Sequence, residues 1–123
     1  MLFKTTTLIT VIGAISVTPV IAGGGFSASC SGASVSGTTL TANCGNGNGG
    51  SRWSSIDLNQ CIANYGGNLV CAKNGGFGGS CSGCEIRTGV YMICGCSGGS
   101  NPTPIIDLDN CVANYGGNLA CAT

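Results

Sequence analysis

The chain has 123 residues, of which 23 are glycine and 10 cysteine, with four Lys and Arg against four Asp and Glu and no histidine. Charge this sparse excludes the clustered Lys and Arg that displace counterions from nucleic-acid phosphates, and the polybasic stretch that holds a protein on an anionic membrane. The length suits one domain rather than two independent cores, and without histidine no Ser–His or Cys–His nucleophile pair can be assembled.

The first segment, "MLFKTTTLITVIGAISVTPVIA" at 1–22, reads as a secretory signal peptide. Lys4 supplies the positive start, Leu8 to Val17 the apolar stretch and Val20-Ile21-Ala22 a small-residue cleavage site. A membrane anchor is the alternative, but Pro19 and the glycines at 23–25 cut the apolar run short of the roughly 20 residues a span needs. The expectation is a secreted, extracellular protein with its mature domain at 23–123 and no membrane insertion after cleavage. Loss of Lys4 leaves Arg52, Lys73 and Arg87 against Asp57, Glu85, Asp107 and Asp109.

The mature region is an internal duplication with a period of about fifty residues. "FSASCSG" at 26–32 answers "FGGSCSG" at 77–83, and "SIDLNQCIANYGGNLVCA" at 55–72 answers "IIDLDNCVANYGGNLACA" at 105–122. The repeats span 26–74 and 77–123, too few units for a solenoid, so they read as halves of one fold. Within the first, "ASVSGTTLTAN" is a hairpin around a Ser-Gly-Thr turn, with Cys30 and Cys44 on its outer arms. After the glycine-rich "GNGNGG" a short strand is expected around Trp53 to Ile56. Asp57 then caps a helical turn, with Gln60 reaching back. Asn64 to Gly67 ends that turn, glycine supplying positive φ, and Leu69 to Cys71 begins another strand. Ile56, Leu58, Ile62 and Leu69, with Ile106, Leu108, Val112 and Leu119, are the candidate core.

Ten cysteines, all after the signal, read as a disulfide framework. Repeat symmetry favours Cys30 with Cys44, Cys81 with Cys94, Cys61 with Cys71 and Cys111 with Cys121, leaving Cys84 with Cys96. The competitor is zinc on "CSGC" (81–84) and "CGC" (94–96). An oxidising compartment would consume those thiols, so no metal and no cofactor is expected. The Cys81/Cys84 spacing also matches a redox motif, but glycine and serine surround it instead of the βαβ pattern such a motif needs. "GNGNGG" matches G-x-G-x-x-G without the strand, helix and βαβ frame of a dinucleotide site. A glycosidase needs two facing carboxylates, and three of the four acids lie in "DLN" and "DLD" turns that capping explains. An enzyme is therefore not expected. Trp53, Tyr65, Tyr91 and Tyr115 are candidates for stacking on a sugar ring, with a core role as the alternative for Trp53 and Tyr91. No Asn-x-Ser/Thr acceptor is present, since proline follows Asn101.

The tandem "FSASC", "SSIDLNQCIANYGGNL" and "IIDLDNCVANYGGNL" resembles the cyanovirin-N homology family, lectins of cyanobacteria, ferns and fungi, and the added cysteines look like its cysteine-rich fungal branch. The resemblance covers Phe26 to the C-terminus. It implies an all-β fold of two pseudo-symmetric halves with strand exchange between the tandem repeats and short helical turns. One half would run from about Gly23 to Cys61 plus the tail from Val112, the other from Ile62 to Cys111. It implies disulfides Cys30 to Cys44 and Cys81 to Cys94, and non-catalytic binding of mannose-type oligosaccharides or of glycoproteins that carry them. A monomer is expected, with a domain-swapped dimer as the alternative. Carried over residue by residue, one pocket would use Ser29, Gly45 to Gly47, Asn114 and Tyr115. The other would use Asn64, Tyr65, Asn74, Ser80 and Gly95 to Ser97. The alternative for Asn64 and Asn114 is a turn role. Several pocket positions that are charged or amide-bearing in the family are here glycine, alanine or cysteine, which favours the second reading: a secreted disulfide-rich structural or interaction protein that has lost sugar binding.

Overall fold

A computed structural model describes residues 24–122, so the signal expected at 1–22 and the mature start at Gly23 lie outside the described residues. After a single 3-10 turn at Phe26–Ala28, β1 (Cys30–Ser36), β2 (Thr39–Gly45) and β3 (Ser51–Asp57) form an antiparallel meander. The alternation expected of a half-buried strand is plain in β2, where Leu40, Ala42 and Cys44 are buried while Thr39, Thr41 and Asn43 face outward. A bulge between Ser31 and Ser34 holds Gly32 at φ 64°.

Asp57 then caps a 3-10 turn at Leu58–Gln60, its Oδ1 accepting the Asn59 N–H at 3.0 Å; a reach-back from Gln60 is not among the hydrogen bonds of the described residues. The helical turn expected to run on to Asn64 stops at Gln60. Ile62–Tyr65 (β4) and Asn68–Cys71 (β5) are instead a two-stranded hairpin. Gly66 and Gly67, at φ 63° and 94°, give the two successive positive φ values that close a tight hairpin with the right twist, so the "NYGGN" expected to stop a helix is a strand turn. The second repeat follows the same plan: a 3-10 turn at Phe77–Gly79, β6 (Cys81–Ile86), β7 (Tyr91–Cys96), β8 (Ile105–Asp107), a capped turn at Leu108–Asn110, and the hairpin β9 (Val112–Tyr115) and β10 (Asn118–Cys121).

Each hairpin packs on the other repeat's meander. Gly25 N–H donates to Asp109 O at 2.8 Å and Leu119 N–H to Ser54 Oγ at 3.0 Å, placing β9–β10 on β1–β3. In turn β5 lies on β8 and β4 on the Phe77–Gly79 turn. This is the expected all-β architecture with exchange between halves. Its core repeats too: Phe26 with Phe77, Leu40 with Met92, Leu58 with Leu108 and Ile62 with Val112, all fully buried.

All ten cysteines are bridged, including Cys81, Cys84, Cys94 and Cys96, so no thiolate remains there to ligate a metal. Cys30–Cys44 is as expected; the other four pairings are corrected to Cys81–Cys96, Cys84–Cys94, Cys61–Cys121 and Cys71–Cys111. Two causes account for this. The bridged arms of the second long hairpin are 15 residues apart against 14 in the first, so the partner of Cys81 is Cys96. Cys84 and Cys94 then stand opposite each other where the first repeat has Ala33 and Ala42. In the short hairpins, Cys71 pairs with Ile62 while Cys61 O accepts from Ala72 N–H, so Cys61 and Cys71 are one step out of register. They bond across the pseudo-twofold instead. That axis exchanges the two repeats, and it maps the crossed pair of bridges onto itself as faithfully as it maps the uncrossed pair, so symmetry alone did not distinguish them.

Candidate functional site

Asn114 ends the second "VAN" run one residue before the β9–β10 turn, and its side chain reaches across to the first repeat. Nδ2 donates to Ser29 Oγ and to Gly45 O, both at 2.9 Å, and Oδ1 accepts the Gly117 N–H at 2.8 Å. Three segments distant in sequence therefore meet at one amide: the end of the Phe26 turn, the start of the 45–51 loop and the Gly116–Gly117 turn. The loop is organised by Asn46, whose Oδ1 accepts from Asn48 and Gly50 N–H at 2.8 and 3.2 Å. Tyr115, the next residue, is 61% exposed, and the aliphatic stem of Arg52 lies over Gly117.

The other half repeats the arrangement. Asn64 Nδ2 donates to Ser80 Oγ at 2.8 Å and to Ser97 O at 3.2 Å, and Oδ1 accepts the Gly67 N–H at 2.9 Å. Tyr65, 63% exposed, is the counterpart of Tyr115. The residues named in the two clusters are neutral apart from Arg52, and neither cluster contains a carboxylate; the two hollows of the surface lie elsewhere. The chemistry on offer is hydroxyls, main-chain groups and an aromatic face, with no acid–base or nucleophile pair.

The structure thus brings together Ser29, Gly45, Asn114 and Tyr115, and separately Asn64, Tyr65, Ser80 and Ser97. Gly47 lies in the first loop, at φ 85° with open space around it. Asn74 does not join its group among the described residues: it turns the chain at φ 54°, donates its N–H to Gln60 O at 2.8 Å and lines a separate hollow of about 470 Å³ with Ser55, Asp57, Gln60 and Lys73. Both asparagines are turn-holding clamps with their amide protons already spent. Trp53 and Tyr91 are not core. Trp53 is 62% exposed and reaches over the sheet's outer face to the Gly32 bulge; Tyr91 is exposed beside Asp107 in a shallow hollow. Sequence reasoning missed Arg52. The signal was present in β3, where counting back by twos from buried Ile56 through Ser54 puts Arg52 on the face that meets β10.

The family model for the CVNH domain matches residues 26–120. Among solved structures, a variant of MoCVNH3 in complex with (N-GlcNAc)4 is 21% identical, with a TM-score of 0.74 over 83% of this chain and 99% of that one. The T. borchii CVNH is 30% identical, at a TM-score of 0.66 over 78% and 97%. Microvirin in complex with mannobiose is 26% identical, at a TM-score of 0.63 over 80% and 98%. No curated protein matches the sequence.

Proposed function

We propose that this chain, which belongs to the CVNH family, binds oligosaccharides, free or on glycoproteins, and does not transform them. The observation that carries the reading is the twofold recurrence of one polar cluster, in which a clamped asparagine ties a glycine turn beside an exposed tyrosine to a serine hydroxyl and a main-chain carbonyl across the repeat boundary. The relative solved with mannobiose supports a mannose-type ligand. An exposed polar surface exchanges hydrogen bonds to water for hydrogen bonds to sugar, so affinity for a monosaccharide is weak.

Ten bridged cysteines support export. We place the cut after Ala22, which leaves a mature domain at 23–123. Intact mass of the exported protein tests this: a start at Gly23 and the loss of ten hydrogens are expected, and a retained Met1 would sink it.

One observation favours the second reading, a disulfide-rich interaction protein without sugar sites: Asn64 and Asn114 spend both amide protons inside the protein. A glycan array probed with the oxidised protein separates the two. Binding to mannose-rich or N-acetylglucosamine oligosaccharides supports the lectin, and a blank array with folded protein supports the alternative.

A further inference from the structure

Resting on the reading that these clefts take sugar, we infer that the two are not equivalent: the Asn114 cleft is the one open to an oligosaccharide, with Arg52 as its movable, hydrogen-bonding cover, while main chain shuts the Asn64 cleft.

The two glycine turns are alike, and what lies opposite them differs. Beside Asn64, the bare α-carbon of Gly99 rests on the turn so closely that a methyl group there would overlap the Gly66 carbonyl. Asn101 main-chain N and O lie 3.0 and 3.1 Å from where Gly67 would carry a Cβ. Ser97 Oγ adds a tie to Ser80 O at 3.3 Å, where the other half has side-chain-free Gly45. The cause is the length of the tip. Cys94 and Cys96 N–H donate to Pro104 O and Pro102 O at 3.2 and 2.8 Å, so the pairing runs on to Pro102, which stands where Arg52 stands in the first repeat; the proline has no N–H to return, and the shorter tip at 97–101 lies against the turn.

Beside Asn114 the ladder continues to Gly45 and Ser51, and the Asn46 N–H closes the tip on Gly50 O at 3.0 Å. The tip stands clear at Gly47 and Gly49, which have nothing within 4 Å of a Cβ position; Gly116 and its counterpart Gly66 are alike in this, and the two turns differ at Gly117 and Gly67. Gly117 meets only side chains, Arg52 Cδ and Cγ at 3.0 and 3.1 Å and Asn46 Cβ at 3.5 Å. Removing Arg52 from that turn takes a rotamer change at an exposed residue; removing residues 99–101 from theirs takes a shift of main chain. Among the described residues the Arg52 guanidinium has no hydrogen-bond or ion-pair partner. Its fork of N–H groups is free to supply the donors that Asn114 has spent.

The test is an NMR titration of the oxidised, 15N-labelled protein with mannobiose and, separately, with the N-acetylglucosamine tetramer, read at the glycine amides and Arg52 Nε–H. One sugar per chain is expected, with movement at Gly47, Gly49, Gly116, Gly117 and Arg52 and none at Gly66, Gly67 or Gly99. Arg52→Ala should weaken binding by about tenfold, the scale of one lost charge-assisted hydrogen bond, with thermal stability unchanged. Two sugars per chain, movement at the Gly66 turn, or undiminished affinity in Arg52→Ala overturns the inference while leaving sugar binding intact. Silence at both ends with both sugars overturns the lectin reading, and this inference with it.

Discussion

Cys61 is bonded to Cys121, so the entry of one glycine-turned hairpin is fastened to the exit of the other, 60 residues along the chain. Cys71–Cys111 fastens the remaining two ends. The exchange of hairpins between repeats is thereby locked covalently, and reopening it into a swapped dimer requires reduction first.

Replacing Cys61 and Cys121 together by serine should lower stability by about 2–4 kcal/mol, since that bridge closes the longest loop. Replacing Cys84 and Cys94 together by alanine should cost less. That bridge closes a loop of only 10 residues, and Ala33 with Ala42 already packs at the equivalent place in the first repeat. Urea midpoints of the two variants compare them directly; a larger loss from the alanine pair would contradict the ordering.

Asn64→Ala and Asn114→Ala should each lose about 1–3 kcal/mol, because each strands a main-chain carbonyl and a turn N–H that are now paired. The two losses should add, the clamps lying in separate halves. Denaturant unfolding of the sugar-free protein decides this, since a residue that served only to touch ligand would leave unfolding unmoved.

Gly99→Ala should destabilise by about 1–3 kcal/mol through overlap with the Gly66 carbonyl. Gly79→Ala, where a Cβ meets nothing within 4 Å, should stay within about 0.5 kcal/mol of the parent. Thermal melts of the pair supply the comparison, and equal melting temperatures would remove the close contact on which the shut cleft depends.

The elements most legible in the sequence were those set by local chemistry. Asp57 and Asp107 cap their turns, the "ASVSGTTLTAN" hairpin forms, and the apolar residues flanking the caps fill the core. Three things were hidden, for different reasons. The bridges between short hairpins were hidden by a degeneracy, since both pairings obey the repeat. The Cys81 partner was hidden by one extra residue in a hairpin tip, which moved the register without disturbing the motif. The closure of the Asn64 cleft was hidden because it depends on how residues 97–101 lie, and two glycines beside two prolines leave no side-chain pattern to read. Of the candidate site, the clustering of Ser29, Gly45 and Asn114 was legible through resemblance; that Asn114 spends its protons on the other two was a matter of distances.

A fragment ending at Asn74 should not fold by itself. It keeps β1–β3 but lacks β9–β10, which covers them, and it leaves Cys61 and Cys71 without partners. Its amide spectrum should be undispersed, and adding the separately made second repeat under oxidising conditions should restore native dispersion.

The bridges also decide what a protease can do to the molecule. Every peptide bond from Cys61 to Cys121 lies within the span of the Cys61–Cys121 bridge, and those from Cys30 to Cys44 lie within the Cys30–Cys44 bridge. A cut in the exposed 97–101 loop therefore leaves one particle of almost unchanged mass, which separates only after reduction. Between Cys44 and Cys61 no bridge spans the chain, and the exposed, glycine-rich tip at 46–50 lies inside that window. A single cut there leaves β1 and β2 as a piece with no covalent tie to the rest, held by the β2–β3 ladder and packing, and with it Ser29 and Gly45, which anchor the Asn114 cluster. Between its first and last cysteine the molecule is armoured against nicking everywhere except from Cys44 to Cys61, the window that holds the exposed loop beside the Asn114 cluster.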